Sequence, residues 1–285
     1  MRRTDPVDGF RLAYDRSGAG PPVLLLHGWP GDRDDHAGVS ALLSREADVV
    51  VPDLRGFGDS DTHADGAYSA DAYGADAQAR SIIGLIEELG LAPPVIGGYD
   101  IGSRIAQTVA RVRPDLVRAL VVSPPLPGIG DRVLTAQDEF WYQAFHQLDL
   151  PENLIDGRPD AVRTYLSHFW SHWSGPDFDL PADRLDHLVA AYAAPGAFTA
   201  SIGWYRAGAG AVASSLAEQP PAPADRIRTP TTVLWPDHDP LFPITWSDRL
   251  DAFFSDVQLS HLQGTGHFTP VERPDAAIAG HLNRK

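Results

Sequence analysis

GGYDIGSR, residues 97–104, closes an apolar run at Tyr99 and opens a helical pattern at Ile101. Gly98 and Gly102 flank Asp100 two residues away on either side, the G-x-Nu-x-G spacing of a nucleophile elbow. Small residues are required there because the turn is tight and neighbouring backbone comes close, leaving the central side chain exposed above a sheet. The plainer alternative is a strand-to-helix turn whose Asp only caps the helix.

Outward from this turn, short β-branched apolar runs alternate with amphipathic stretches. VLLLHG (23–28), DVVVPDL (48–54), PPVIGGY (93–99), RALVVSPP (118–125), TTVLWPD (231–237) and VQLSHLQG (257–264) read as strands. Their nearly continuous hydrophobicity suits parallel strands covered on both faces. Ala79, Ile82, Ile83, Ile86 and Leu89 follow helical spacing, with Gly90 as a stop. The alternation predicts an α/β fold with a mostly parallel, doubly wound sheet. It lapses between about 128 and 222, a stretch rich in aromatics and bracketed by Pro124, Pro125 and Pro127 before it and Pro220, Pro221 and Pro223 after it. There Val162, Leu166, Phe169 and Trp173 fall on one helical face. The division expected is a core domain of 1–127 and 223–285, with residues 128–222 inserted as a helical cap.

Partners for Asp100 lie at later strand ends, in the chain order nucleophile, acid, histidine. LWPDHDP (234–240) offers Asp239 with Asp237 as its rival, and QGTGHF (263–268) offers His267 on a glycine-flanked loop. His27 in HGWPG (27–31) reads as a structural hydrogen-bonding residue. RGFGDSD (55–61) is rich in glycine but lacks the Lys and Ser/Thr of a phosphate-binding loop. His168 and His172 have a spacing that can hold a metal, yet no Glu completes an H-E-x-x-H motif, and packing within the cap is the preferred reading. No metal site is expected.

Bulk properties narrow the function classes. The chain has 285 residues, 43% hydrophobic and 21% charged, as a globular domain does. A net charge of −15 without a basic cluster argues against nucleic acid as a partner. No apolar run approaches the roughly 18 residues of a membrane helix, and no apolar stretch follows the N-terminal arginines as in a secretory signal. With no cysteine, disulfides and thiolate chemistry are excluded. A cytoplasmic location and a monomer or homodimer are expected.

HGWP, RGFGDSD, the GYDIG elbow and GTGHF together resemble the α/β-hydrolase superfamily over nearly the whole chain. Aspartate in place of serine at the elbow is similar to the epoxide hydrolase and dehalogenase branch. WYQAFHQLD (141–149) and GWYRA (203–207) resemble the two cap segments of microbial soluble epoxide hydrolases. In that family each segment supplies a tyrosine that holds the epoxide oxygen, and these positions fall on Tyr142 and Tyr205. The family's G-x-x-D-P pattern favours Asp239 over Asp237 as the acid, although Pro236 stands where the glycine usually is. It also implies an oxyanion hole made by the backbone N–H groups of Trp29 and Ile101. Trp141, His146 and Trp204 are expected around the substrate pocket.

The resemblance implies that an epoxide opens to a vicinal diol through an ester on Asp100, which His267-activated water then hydrolyses without a cofactor. The aromatic cap suggests an apolar or aromatic epoxide. The alternative is a haloalkane or haloacetate dehalogenase using the same aspartate. Haloalkane dehalogenases commonly carry Trp just after the nucleophile, and fluoroacetate-type enzymes resemble D-R-x-x-R. Here Ile101 takes the first of those positions, and only Arg104 matches the second arginine.

Overall fold

Each of the six apolar runs forms a strand, shorter than the run itself because its last residues bend into a loop. The structure, a computed structural model, describes residues 1–63, 69–208 and 210–282. Residues 64–68 and 283–285 of the expected core, and 209 of the expected cap, lie outside them. One sheet of eight strands contains β1 (Arg2–Arg3), β2 (Ala13–Gly18), β3 (Pro22–Leu26), β4 (Asp48–Pro52), β5 (Val95–Gly98), β6 (Ala119–Val122), β7 (Thr231–Pro236) and β8 (Val257–Leu262). Their order is β1-β2-β4-β3-β5-β6-β7-β8. The strands β4, β3 and β5 to β8 pair in parallel, while β1 and β2 form an antiparallel edge.

Alternate side chains of these strands enter opposite cores. Leu24, Leu26, Val50, Ile96, Leu120 and Val122 join one cluster with Ile82, Ile86, Ile105 and Val109. Val23, Leu25, Val49, Val51, Val95 and Val121 join the other, with Val39 and Leu43. Both faces of the sheet are therefore apolar, which is why these strands read as continuous rather than alternating runs. Helices α1 (Ala37–Leu43), α2 (Ala75–Glu88) and α3 (Ile101–Val112) connect the first strands. Gly90, at φ 57°, follows α2 in a left-handed conformation suited to ending a helix. The strand β8 departs from the expectation of burial on both faces. It is the outer edge of the sheet, and among its residues only Leu262 is buried.

Between β6 and β7 every described element is helical. A distorted 3-10 segment at Gly130–Phe140 leads into α4 (Trp141–His146), α5 (Leu150–Leu154), α6 (Pro159–Trp173), α7 (Ala182–Tyr192), α8 (Ala197–Ser201), α9 (Gly203–Arg206) and α10 (Ala211–Ala217). Val162, Leu166, Phe169 and Trp173 are all buried along one side of α6 and are continuous with the core above α2 and α3. After β8 the last described elements are α11 (Thr269–Glu272) and α12 (Pro274–Leu282). Among the described residues no helix is long and apolar enough to cross a membrane.

Candidate active site

The winding of the sheet reverses where β3 lies parallel beside β5. From β3 the sheet grows one way through β4, and from β5 it grows the other way through β6, β7 and β8. Loops leaving the carboxyl ends of two such strands diverge and leave a crevice between them. The loop after β3 carries Trp29, and the loop after β5 carries Asp100.

Asp100 occupies the sharp turn between β5 and α3 with φ 49° and ψ −127°, one of two described non-glycine residues at positive φ. That conformation is strained for a residue with a Cβ and holds its side chain away from the sheet. Its neighbours must be glycine. A Cβ on Gly98 would lie 2.6 Å from the Gly102 carbonyl oxygen, and one on Gly102 would lie 2.4 Å from that of Leu26. The carboxylate makes no capping hydrogen bond to α3. Instead, Asp100 Oδ2 accepts the backbone N–H of Trp29 at 2.7 Å. The amide of Ile101, first residue of α3, follows directly along the chain.

Beside this carboxylate lie the two groups from later strand ends. His267 Nδ1 is 2.9 Å from Asp239 Oδ2, and both side chains are buried. His267 Nε2 has no hydrogen-bond partner among the described residues and lies 3.7 Å from Asp100 Oδ1. Asp237 is elsewhere, with its carboxylate near the amide of Thr265 and the ring of His238. Burial alone would push the His267 imidazole down, but Asp239 and Asp100 outweigh it and hold the group up at about 10. The two acidic neighbours thus favour the protonated form of the ring.

A small, partly open cavity lies at Asp100, and Tyr142 from α4 and Tyr205 from α9 also line it. Both rings are buried, 5.5 Å apart and nearly perpendicular. Burial pushes both phenols above the ordinary tyrosine range, helped next by the negative charge of Asp100 at Tyr142, and by Tyr142 and then Asp100 at Tyr205. Trp29 joins the two sides: its ring stacks on Tyr142 at 5.6 Å and meets Tyr205 edge-on at 5.9 Å. Two phenols that stay protonated thus share a cavity with one carboxylate.

Of the three residues expected around the pocket, Trp204 lines this cavity. Trp141 does not: it is 45% exposed, with its ring stacked on Phe169 of α6. His146 also falls outside the lining. It is buried behind the cavity, T-stacked on Trp29 and hydrogen-bonded through Nε2 to the Tyr165 hydroxyl at 2.9 Å. Side chains on the inner surface of a short helix and those one turn behind it cannot be told apart from sequence spacing alone, hence both corrections. His27 bridges backbone groups, accepting from Leu54 N–H and bonding to the Gly28 carbonyl. His172 pairs with Glu139, and His168 packs on Phe169.

Gln143 escaped the sequence reading. Its amide donates to the Tyr142 hydroxyl at 3.1 Å, while its carbonyl accepts from Ala211 N–H of α10 at 2.8 Å. A glutamine beside a tyrosine carries no pattern that would single it out. Asp32, Asp34 and His187 converge as metal ligands could, but Arg184 lies 2.5 Å from Asp32 and 2.7 Å from Asp35, so the charge there is already matched. This cluster clasps α7 to the loop after β3.

A family model described as alpha/beta hydrolase fold matches residues 21–274. The chain is 26% identical to a soluble epoxide hydrolase from Corynebacterium sp. (strain C12), over 95% of this chain and 92% of that protein. It is 31% identical to a fluoroacetate dehalogenase from Burkholderia sp., over 73% of this chain and 69% of that one. Among solved structures, an epoxide hydrolase from Bacillus megaterium in complex with an inhibitor matches with a TM-score of 0.82 at 20% identity, covering 99% of each chain.

Proposed function

This chain belongs to the α/β-hydrolase fold family, and we propose that within it the protein is an epoxide hydrolase working through an ester on Asp100. The observation that carries this reading is the pairing of two protonated phenols with one carboxylate across a shared cavity. A saturated carbon needs a nucleophile in line with the breaking bond and an acid at the departing oxygen. Asp100 Oδ1 attacks an epoxide carbon while Oδ2 stays on the Trp29 N–H. The C–O bond breaks, and the ring oxygen takes a proton from Tyr142 or Tyr205.

Esterification also alters the histidine. One of the two carboxylates that hold the imidazole proton becomes neutral, so the ring yields its proton and replenishes the phenol. Neutral His267, oriented by Asp239, then deprotonates a water that adds to the Asp100 carbonyl carbon. The Trp29 and Ile101 amides hold the resulting oxyanion. The tetrahedral adduct breaks between this carbon and Oδ1. The diol leaves with Oδ1 and a proton from His267, and the water oxygen stays on Asp100. The carboxyl proton returns to the ring, restoring the starting pair. Residues 128–222 serve as the cap that brings the phenols over the nucleophile, and a substrate with an apolar or aromatic body suits the Trp204 side of the cavity.

The second reading, dehalogenation, is favoured by Arg104 in the cavity lining and by the relative from Burkholderia. Ile101, where fluoroacetate-type sequences resemble arginine, weighs against it. Purified protein given styrene oxide, a chloroalkane and fluoroacetate in parallel separates the two. Diol formation without halide release is the expected result, and halide release without epoxide consumption would reverse the order.

A further inference from the structure

Glu272 stands apart from the groups used above. It is the last residue of α11, and its partly buried carboxylate collects backbone amides. Oε2 accepts from Gly266 N–H at 2.7 Å and Gly175 N–H at 2.9 Å, and Oε1 from Phe268 N–H at 3.1 Å. Two of those amides flank His267 on either side. The third belongs to the turn that leaves α6 of the helical segment. His267 itself donates its backbone N–H to the Trp173 carbonyl at 2.7 Å.

The two segments are pressed together closely enough to exclude any side chain. A Cβ on Gly266 would lie 2.3 Å from the Trp173 oxygen, and one on Gly175 would lie 2.5 Å from the Gly264 oxygen. Trp173 continues the contact, with its ring 5.1 Å from His267 and 5.2 Å from Tyr142. Three charge-assisted hydrogen bonds from one carboxylate fix a loop more firmly than neutral bonds would.

We propose that Glu272 is a positioning residue for the water-activating step, setting the height of His267 against Asp100 by tying the loop 266–268 to the end of α6. This rests on the reading that an Asp100 ester is the intermediate. Asp100 is fixed separately, through the elbow and the Trp29 amide. Loosening Glu272 therefore displaces the base and leaves the nucleophile in place. A general base misplaced by about 1 Å can lose on the order of 100-fold in rate.

The test follows the two half-reactions with styrene oxide by rapid quench and intact-mass detection of the ester, in wild type, Glu272→Gln, Glu272→Ala and a His267→Gln control. Ester hydrolysis is expected to slow by roughly 10- to 100-fold in Glu272→Ala, with ester accumulating while its formation stays close to the wild-type rate. Glu272→Gln, which keeps one accepting oxygen, should fall between the two, and it carries the test if the alanine variant does not fold. Unchanged ester hydrolysis in the folded variants, or equal losses in formation and hydrolysis, overturns the role of Glu272. No ester in His267→Gln would instead remove the covalent reading and this inference with it.

Discussion

Below the cavity stand three ionisable groups, Asp100, Asp239 and His267, all on loops leaving the carboxyl ends of β5, β7 and β8. Above it stand two neutral phenols, Tyr142 and Tyr205, on helices of six and four residues. The lower groups are fixed by backbone geometry: a strained elbow, a backbone N–H on Oδ2 and an imidazole wedged between carboxylates. The upper ones are fixed by packing, since Tyr142 touches Trp29, Phe169, Trp173 and Tyr205 through ring contacts. The difference teaches how the two sides depend on each other. Negative charge below is among the causes that keep the phenols protonated above, so in the proposed reaction the acid is prepared by the nucleophile that needs it.

Removing the lower side should have the largest effect. Asp100→Ala is expected to cut steady-state diol formation by about 10⁴-fold or more, as losing a member of a nucleophilic unit does. Removing both phenols as Tyr142→Phe with Tyr205→Phe should come next, slowing ring opening by about 10²- to 10⁴-fold in a single-turnover assay. Each single variant should lose much less, because the remaining hydroxyl can still donate; equal losses from one and both would break the idea of a shared role.

The smallest change in composition tests the electrostatic link. Asp100→Asn removes one of the two charges holding the His267 proton, so the ring's titration, followed by histidine NMR signals, should move down from about 10. The sign for stability follows from the same shift. A group raised from 6.5 to about 10 stabilises the fold fully below pH 6.5, and that contribution fades as pH climbs through about 10. Thermal unfolding of the wild type should therefore decline more than that of Asp100→Asn across this window. A parallel decline in both proteins would contradict the assignment.

The two sides also differ in how far the sequence reveals them. The lower side was legible because a strand end followed by a glycine-flanked residue is a local pattern, and the order of Asp100, Asp239 and His267 along the chain is visible at once. The six core strands were legible for the same reason, as apolar runs between turns. The antiparallel pair β1 and β2 gave no such run, with exposed residues along most of its length. The upper side was legible only through resemblance. Helical spacing predicts the buried face of α6, yet it does not say which residue of α4 turns toward a cavity. Tyr142 lines it, Trp141 lies outside, and Gln143 anchors the hydroxyl of its neighbour. Such placements depend on how short helices dock, which involves residues far apart in the chain.

One isotope measurement bears most directly on Asp100 as the bonding atom. With enzyme in excess over epoxide in oxygen-18 water, a single turnover should give diol whose new hydroxyl is unlabelled, and the label should appear in the peptide containing Asp100. Labelled diol from the first turnover, with that peptide unlabelled, would mean that water opens the ring directly and that no ester forms.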